Sequence, residues 1–212
     1  VPVDGHAPGV MGEELVKYAG AGITTDHECF TYEEAVEKIG QGMHILIREG
    51  SGAKNFNALI PLLRNYPDKV MFCTDDLHPD DMLHGHINLL VKKAISAGYD
   101  LFDTLRAASL NAIRHYHLDV GTLRVGDPAD FILVDSPEHF QVEATYITDK
   151  DEIEKLMDEA KAKYKARDDR TRNLHDEDVD TFYGCTLCQS FAPSNVCVIT
   201  PDRISQIGRA HV

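Results

Sequence analysis

The sequence predicts an α/β fold in which four strand–helix units of a parallel sheet account for half of a (β/α)₈ barrel. Two observations support this prediction. Apolar segments of strand length alternate with helical segments over about the first 118 residues, which is typical of right-handed βα units. Each strand also ends in polar residues, and in such a barrel the carboxyl ends of the strands meet at the mouth that holds the active site.

The predicted strands are short and apolar, and charged or imidazole side chains follow each of them closely. They read VPVD (1–4), ITTD (23–26), MHILIREG (43–50) and KVMFCTDD (69–76). Helices are predicted at 12–21, from Thr31 onward, around 55–65, at 85–97 and at 101–116. Thr31 with Glu34 three residues later is the pattern of a capping box, which satisfies backbone N–H groups at a helix start.

The character of the chain changes twice after the last of these helices. The stretch GTLRVGDPADFILVDS, with its Gly and Pro turns, predicts a small β segment over 119–147. A charge-rich stretch begins at 148, and its apolar residues at helical spacing predict a solvated amphipathic helix. These residues are Ile153, Leu156, Met157, Ala160 and Tyr164. A loop that carries three cysteines follows.

Composition excludes several classes of function. The formal net charge of -14 argues against nucleic acid as a partner, because phosphate binding needs an excess of Lys and Arg. No apolar run approaches the roughly 20 residues that cross a bilayer, so no membrane association is expected. Hydrophobic content of 43% is typical of a globular protein. The odd cysteine count favours a reducing, cytoplasmic setting, and eleven histidines make metal binding a natural hypothesis.

The first candidate site is formed by His6, His27 and Asp75, which follow three different predicted strands. Imidazole and carboxylate together suit Zn²⁺, Mn²⁺ or Fe²⁺. A divalent ion with an open position lowers the pKa of a bound water, and a neighbouring carboxylate can accept the proton. Each residue alone has a simpler interpretation, since a loop histidine is seldom a ligand and an Asp-Asp pair is common in turns and helix caps.

Four segments together resemble the bacterial and archaeal adenine deaminases of the amidohydrolase superfamily. They are VDGHAPG, TTDHECFTYEEAVEKI, MHILIREGS and FCTDDLHPDDML, and ASLNAIRHYHLDVGTLRVGDPADFILVD extends the resemblance to about residue 147. The resemblance implies the last four units of a metal-dependent hydrolase barrel. It also implies hydrolysis of adenine to hypoxanthine and ammonia by metal-activated hydroxide, with manganese, iron or zinc as the cofactor.

The resemblance also implies roles for individual residues. His6, His27 and Asp75 match metal ligands, and Asp75 would in addition shuttle the proton of the attacking hydroxide. Glu28 would protonate the ring or the leaving group, and the alternative is that it orients His27. Asp76 would lie against the purine. Arg48, Glu49 and Ser51 would line the substrate pocket, with a purely structural role as the alternative.

The resemblance covers only part of that family's ligand set. The first-strand His-x-His pair and the fourth-strand bridging carboxylate have no counterpart in the 212 residues. We therefore expect the isolated chain to be inactive as a deaminase.

The second candidate site is a group of three cysteines, Cys185, Cys188 and Cys197. A two-residue gap lets two sulfurs reach one ion or cluster, whereas a redox CxxC would need a βαβ context that is missing here. The segment VDTFYGCTLCQSFAPSNVCVITPDR resembles the catalytic-cluster segment of acetyl-CoA synthase, the CO dehydrogenase-associated subunit, over about 149–206. That resemblance implies a 4Fe-4S cluster bridged to nickel. The set is incomplete, because the fourth cysteine position holds Ile207.

These parts predict four domains or segments. They are the barrel half at 1–118, the small β segment at 119–147, the acetyl-CoA synthase-like segment at 148–206 and a non-native tail at 207–212. The tail is expected because QIGRAHV is typical of a translated sequencing adapter. Two other functions remain open, a nickel–iron–sulfur acyl-transfer fragment and a non-enzymatic metal-binding module. A homo-oligomeric assembly also remains open.

Overall fold

The computed structural model describes residues 2–148 and, beyond them, residues 151, 154, 155, 158, 159, 161, 162 and 165. Backbone contacts divide the chain into two units, Val1–Thr148 and Asp149–Val212. The predicted four-part division at 118, 147 and 206 is finer than this, and it stays a prediction.

A parallel sheet lies at the centre of the first unit. Its strands are β1 (Thr25–Asp26), β2 (His44–Arg48) and β3 (Val70–Cys73), and they pair in chain order. A parallel bridge between Val3 and Ile23 adds the segment at the start of the chain beside β1. Successive parallel strands in sequential order are the arrangement that βα units produce. The predicted α/β class and parallel order are therefore confirmed.

Helices connect the strands and follow the last of them. They are α1 (Gly12–Gly20), α2 (Tyr32–Gly40), α3 (Phe56–Leu59), α4 (Leu62–Asn65), α5 (Pro79–Met82), α6 (Ile87–Ser96), α7 (Leu101–Leu105) and α8 (Asn111–Tyr116). A π-helical turn at Arg106–Leu110 joins α7 to α8, so the helix predicted at 101–116 is present with one wider turn inside it. The helix predicted around 55–65 is instead two short helices, because Pro61 lacks the N–H that a continuous helix would use.

The start of α2 differs in one detail from the predicted capping box. The side chain of Thr31 accepts a hydrogen bond from the Glu34 N–H, as expected. The Glu34 carboxylate, however, accepts from the N–H of Phe30 rather than from that of Thr31. Its other oxygen accepts from the N–H of Gly9, in a different loop. Glu34 thus connects the helix start to the loop that follows the first strand.

The core lies between the sheet and the helices on its outer side. Ile45, Ile47 and Val70 are fully buried, and they pack with apolar residues of α3, α4 and α6. Removing such side chains from water is the main favourable term in folding. Because the core holds the strands in register, it also fixes the carboxyl ends of the strands relative to one another.

The small β segment predicted after 118 is present as an antiparallel hairpin of β4 (Phe131–Val134) and β5 (Val142–Tyr146). In the second unit, the described residues from 151 to 165 are helical and exposed, which agrees with the predicted charged helix. The five apolar residues predicted for that helix, and Cys185, Cys188 and Cys197, lie outside the described residues. None of the described helices is long and apolar enough to cross a membrane.

A histidine pair lies at the amino end of β2, in surroundings that disfavour the charged imidazole. The rings of His44 and His115 lie 4.5 Å apart between centroids. Burial lowers the pKa of His44 from 6.5 to about 4, and the positive charges of Lys69 and His115 add to the effect. Burial likewise lowers the pKa of His115.

We therefore expect the free energy of unfolding to fall as the pH falls from about 6.5 towards 4. The unfolded chain binds protons in this window that folded His44 does not bind, so the contribution is present above the unfolded pKa and lost towards the folded one. Urea denaturation at several pH values measures the slope. His44→Gln should reduce it and leave the share due to His115, and an unchanged slope in this variant would contradict the assignment.

Candidate functional site

Polar side chains from four consecutive segments lie at the carboxyl edge of the sheet. His6 follows the Val3 bridge, His27 and Glu28 follow β1, Arg48 ends β2, and Asp75 follows β3. Because parallel strands in sequential order place their carboxyl ends along one edge, residues far apart in the sequence come together there.

Two imidazoles and a carboxylate form the centre of this site. The His6 and His27 rings lie 4.4 Å apart between centroids at an angle of 75°. Nδ1 of His6 lies 3.7 Å from Oε2 of Glu28. One potential ligand atom from each of His6, His27 and Glu28 lies within 4.8 Å of the other two, a spacing at which the three could hold one ion.

His27 is the more buried of the two imidazoles. Its side chain is buried, with 9% of the residue exposed. Among the residues that the structure describes, none donates to or accepts from its Nε2 atom. The nearest charged atom is Oδ1 of Asp75, at 3.6 Å, which is too long for a hydrogen bond. A buried polar atom without a partner is costly, which makes this nitrogen a candidate metal ligand.

Arg48 is the positive group that compensates the carboxylates at this edge. Its Nη2 atom lies 2.7 Å from Oδ2 of Asp75 and 3.3 Å from Oδ1 of Asp76. Its Nη1 atom lies 3.3 Å from Oε1 of Glu28. A buried guanidinium suits this position, because its fixed fork of donors can serve several carboxylates at once. Arg48, which was expected to line the substrate pocket, thus contacts three other predicted site residues.

Asp75 presents its two carboxylate oxygens to different partners. Oδ1 faces the unpartnered nitrogen of His27, and Oδ2 binds Arg48. The backbone of Asp75 has φ of 44°, in the left-handed region that few residues other than glycine adopt. Residues held in such conformations cluster at functional sites, where the surrounding structure imposes them. The structure therefore brings the predicted site residues His6, His27, Glu28 and Asp75 to one edge of the sheet.

Asp76 contacts the loop after β2. Its Oδ2 accepts a hydrogen bond of 3.0 Å from the Gly52 N–H. A Cβ atom at Gly50 would fall 1.6 Å from Oδ1 of Asp76, so only glycine leaves room for the carboxylate there. Asp76 is therefore partnered by protein on both oxygens, by Arg48 and by this loop.

Glu49 and Ser51 have other surroundings. Glu49 lines a cleft of about 220 Å³ together with Thr74, His86 and Lys93, and its Oε2 lies 3.2 Å from Nζ of Lys93. Ser51 is exposed, donates to Asp81, and accepts from the His78 N–H at 2.8 Å. Glu49 thus lies beside a space of small-molecule size, whereas the contacts of Ser51 are with the loop after β3.

Asn55 is a buried connecting residue that the sequence analysis did not identify. Its Oδ1 accepts a hydrogen bond of 2.7 Å from the N–H of Arg48. Its amide group donates to the carbonyls of His27 and Cys29, at 3.1 and 3.2 Å. One side chain therefore joins the end of β2 to the loop that carries His27. No local sequence pattern marks Asn55, because its amide acts between loops that are distant in the chain.

A second unpredicted group is a buried ion network around Lys38, directly beneath the two histidine loops. Nζ of Lys38 lies 2.7 Å from Oδ2 of Asp26 and 2.6 Å from Oε1 of Glu34. It also donates to the carbonyl of Ala7 and lies 3.6 Å from Sγ of Cys29. Asp26, Cys29 and Glu34 could by their spacing also hold a metal ion, but the ammonium group of Lys38 already binds there.

The network keeps its members charged despite their burial. Desolvation alone would raise the pKa of Asp26 and of Glu34, but Lys38 and the hydrogen bonds from neighbouring backbone N–H groups, with that from the Cys29 thiol at Asp26, together lower the pKa of each carboxyl. Desolvation would lower the pKa of Lys38, but the two carboxylates raise it above its usual value. Burial and the adjacent carboxylate of Asp26 raise the pKa of the Cys29 thiol, which therefore stays neutral.

The arrangement fits a divalent metal by its donor chemistry. Two imidazoles and one or two carboxylates are the ligands that Zn²⁺, Mn²⁺ and Fe²⁺ prefer, and the unpartnered nitrogen of His27 lies 3.6 Å from Oδ1 of Asp75. A carboxylate beside such an ion is also in position to take up a proton.

Asn55→Ala is expected to destabilise the chain, because it leaves the Arg48 N–H and two carbonyls without their partners. The cost is about 1–3 kcal/mol for a buried group left unsatisfied. Urea denaturation measures it. Asn65→Ala is the matched control, since the Asn65 amide donates to the Tyr32 hydroxyl in an exposed position at 3.0 Å, and it should change stability by no more than about 0.5 kcal/mol. Equal effects of the two variants would refute the connecting role of Asn55.

Comparison with known proteins gives close relatives for most of the first unit. The chain is 61% identical over 145 residues to an adenine deaminase of Sulfurovum sp., covering 68% of this chain and 27% of that protein. It is 58% identical over 146 residues to an adenine deaminase of Salinibacter ruber, covering 69% and 27%. The corresponding protein of Methanosarcina mazei is 56% identical over 146 residues, covering 68% and 26%. The chain thus spans about a quarter of the length of these curated relatives.

A solved structure supports the fold. The crystal structure of a β-aspartyl dipeptidase from Fervidobacterium islandicum, in complex with a β-Asp-Leu dipeptide, superposes with a TM-score of 0.51 at 18% identity. The match covers 68% of this chain and 44% of the dipeptidase. At this identity the likeness concerns the fold alone.

Two family models divide the chain between them. The model of the C-terminal part of the ACS/CODH beta subunit matches residues 164–211, the region of the three cysteines. The model of the amidohydrolase family matches residues 1–163, which include the whole sheet and its site. The chain therefore belongs to the amidohydrolase family, of whose barrel it carries a part.

Proposed function

We propose that the carboxyl edge of the sheet is one part of the active site of a metal-dependent adenine deaminase, which hydrolyses adenine to hypoxanthine and ammonia. The observation that carries the proposal is His27, whose buried, unpartnered Nε2 atom lies 3.6 Å from Asp75 and whose side chain clusters with those of His6 and Glu28. Relatives named adenine deaminase, 51–61% identical to this chain, support the choice of substrate. The activity belongs to the longer protein whose segment this chain matches.

In this proposal His6, His27 and Asp75 bind a divalent ion, with Glu28 as a further ligand or as the group that orients His6. The family implies such an ion, and the donor set suits manganese, iron or zinc. When bound, the ion supplies Lewis acidity, which makes a water molecule a stronger acid and a better nucleophile at neutral pH.

The chain's own carboxylates would then manage protons and orientation. Asp75 is the proposed proton acceptor, because Oδ1 faces the metal position while Oδ2 stays bound to Arg48. Glu28 is the proposed donor to the purine or to the leaving ammonia, since its carboxylate is only partly buried and lies beside His6. Asp76 would orient the purine ring.

The remaining predictions about this site are proposals of the same kind. Glu49, beside the cleft of about 220 Å³, is the proposed lining residue of the substrate pocket. Arg48 would act by holding the carboxylates, and Ser51 would hold the loop after β3 through Asp81. A cytoplasmic location and adenine as the small-molecule partner belong to this proposal.

A chimera tests the reaction. Residues 1–145 of this chain would replace the matching segment of the Sulfurovum adenine deaminase, which supplies the rest of the barrel. We expect the manganese-loaded chimera to release ammonia from adenine, because the segment carries the whole predicted edge. Asp75→Asn in the chimera should lower kcat at least about a hundredfold, as expected when a group that moves a proton is lost.

Metal content and folding are the controls for this experiment. Circular dichroism and metal analysis must show that the chimera is folded and loaded, and Asp80→Asn, an exposed carboxylate after β3, should leave activity unchanged. A folded, loaded chimera that does not act on adenine would refute the proposed substrate. Activity that persists in Asp75→Asn would refute the proposed role of that carboxylate.

A second candidate function concerns the C-terminal segment alone. Its match to the ACS/CODH beta subunit model supports an iron–sulfur site at Cys185, Cys188 and Cys197, of the kind that carries nickel in acyl transfer. The thiolates are suitable iron ligands, but Ile207 stands at the fourth position. We therefore propose an incomplete cluster site, which in this chain would serve metal binding rather than acyl transfer.

Anaerobic reconstitution with iron and sulfide tests this second site. We expect broad visible absorption that is lost in Cys188→Ser and retained in Cys73→Ser, since Cys73 lies in β3, far from this segment in the sequence. Ile207→Cys should raise the iron content per chain, because it restores a fourth thiolate. A wild-type chain that stays colourless, or a Cys188→Ser variant that keeps the absorption, would contradict the proposal.

A further inference from the structure

The Lys38 network, defined as Lys38 with Asp26 and Glu34, lies outside the candidate site but touches both loops that carry its histidines. The side chain of Lys38 has no exposed surface, and neither does that of Asp26. A buried ion pair is weak evidence for stability, because the cost of desolvation offsets much of the attraction. The position of the network therefore calls for a reason other than stability.

Asp26 connects the two histidine loops directly. Its Oδ1 atom accepts from the N–H of Ala7 and from the N–H of Glu28, each at 3.1 Å. Ala7 follows His6 in the chain, and Glu28 follows His27. One carboxylate oxygen thus sets the separation between the backbones of the two imidazoles.

Glu34 also connects the two loops, through N–H groups that lie two residues further along each of them. Its Oε1 atom accepts from the N–H of Gly9 at 2.7 Å, and its Oε2 atom accepts from the N–H of Phe30 at 3.0 Å. Lys38 joins the two carboxylates and also donates to the Ala7 carbonyl. The ammonium group therefore fixes the carboxylates of Asp26 and Glu34 relative to each other and to the loop that contains Ala7.

His6 depends on such anchoring more than His27 does. Its side chain is 70% exposed, so packing restricts it little. Its place relative to His27 is set mainly by its backbone, and the backbone of the next residue is bound on both its N–H and its carbonyl by this network. Loss of the contacts made by Asp26, Glu34 and Lys38 would let the loop that carries His6 shift, while the apolar core stays packed.

We propose that Lys38 is a positioning residue that, through Asp26 and Glu34, sets the distance between His6 and His27 and thereby the affinity of the site for a divalent metal. The proposal rests on the proposed function only in that the site binds a metal at all. Hydrogen-bonded groups behind metal ligands typically change metal affinity 10–100-fold when they are removed.

Metal binding by the purified chain is the test, with Mn²⁺ in titration calorimetry and Co²⁺ in visible absorption. Lys38→Met should weaken Mn²⁺ binding on the order of 10–100-fold and alter the Co²⁺ spectrum, because the two imidazoles no longer meet at a fixed spacing. Glu34→Gln is the milder variant, since it keeps the Lys38–Asp26 pair and removes one charge. It should weaken binding about tenfold.

Arg106→Met is the matched control for loss of a cation. Arg106 binds Asp68, which precedes β3 and so lies towards the opposite edge of the sheet. This variant should bind Mn²⁺ as the wild-type chain does. Thermal unfolding of each metal-free variant separates a loss of affinity from a loss of fold, and Glu34→Gln decides the result if Lys38→Met does not fold.

The outcomes distinguish this proposal from the proposed function. A wild-type chain that binds neither Mn²⁺ nor Co²⁺ would overturn the positioning role, whereas the proposed reaction, which belongs to the longer protein, is decided by the chimera. Wild-type binding that is unchanged in folded Glu34→Gln and Lys38→Met would overturn the positioning role alone. Weaker binding and an altered Co²⁺ spectrum in variants that remain folded, with Arg106→Met unaffected, is the result that supports it.

Discussion

The candidate site depends on the interaction of one buried ammonium group with two buried carboxylates. Lys38 is placed on α2, yet its contacts reach the loop after the first strand and the loop after β1. A charge of this kind is tolerated in the interior only when every donor finds an acceptor. Only a small range of acceptor positions satisfies the Lys38 ammonium group. The loops that supply these acceptors are therefore restricted to a small range of conformations.

A different cation governs the outer layer of the same edge. Arg48 is bound by carboxylates from the loops after β1 and β3, and Asn55 fixes its backbone from below. Lys38 and Arg48 therefore act on different parts of the site. Lys38 organises the backbone of the loops, whereas Arg48 organises the carboxylate side chains that lie beside the two histidines.

The sequence predicted the sheet, its order and the residues at its carboxyl edge, because alternation of strand and helix and the letters at strand ends are local signals. His6, His27 and Asp75 could be identified for that reason. Lys38, Asp26 and Asn55 could not, since their roles arise from contacts between loops that are distant in the chain. The single helix predicted around 55–65 was wrong for a local reason, because Pro61 interrupts it. The roles assigned to the site residues stay predictions.

Asp75 and Asp76 are neighbours in the chain and carry the same charge, which would ordinarily set them against each other. The backbone of Asp75 is left-handed. Oδ1 of Asp75 lies near His27, whereas Oδ2 of Asp76 accepts a hydrogen bond from the Gly52 N–H. Two adjacent aspartates thus have different environments. The repulsion expected from adjacent like charges is relieved by Arg48, whose Nη2 atom lies 2.7 Å from Asp75 and 3.3 Å from Asp76, while the second oxygen of each aspartate has a different neighbour.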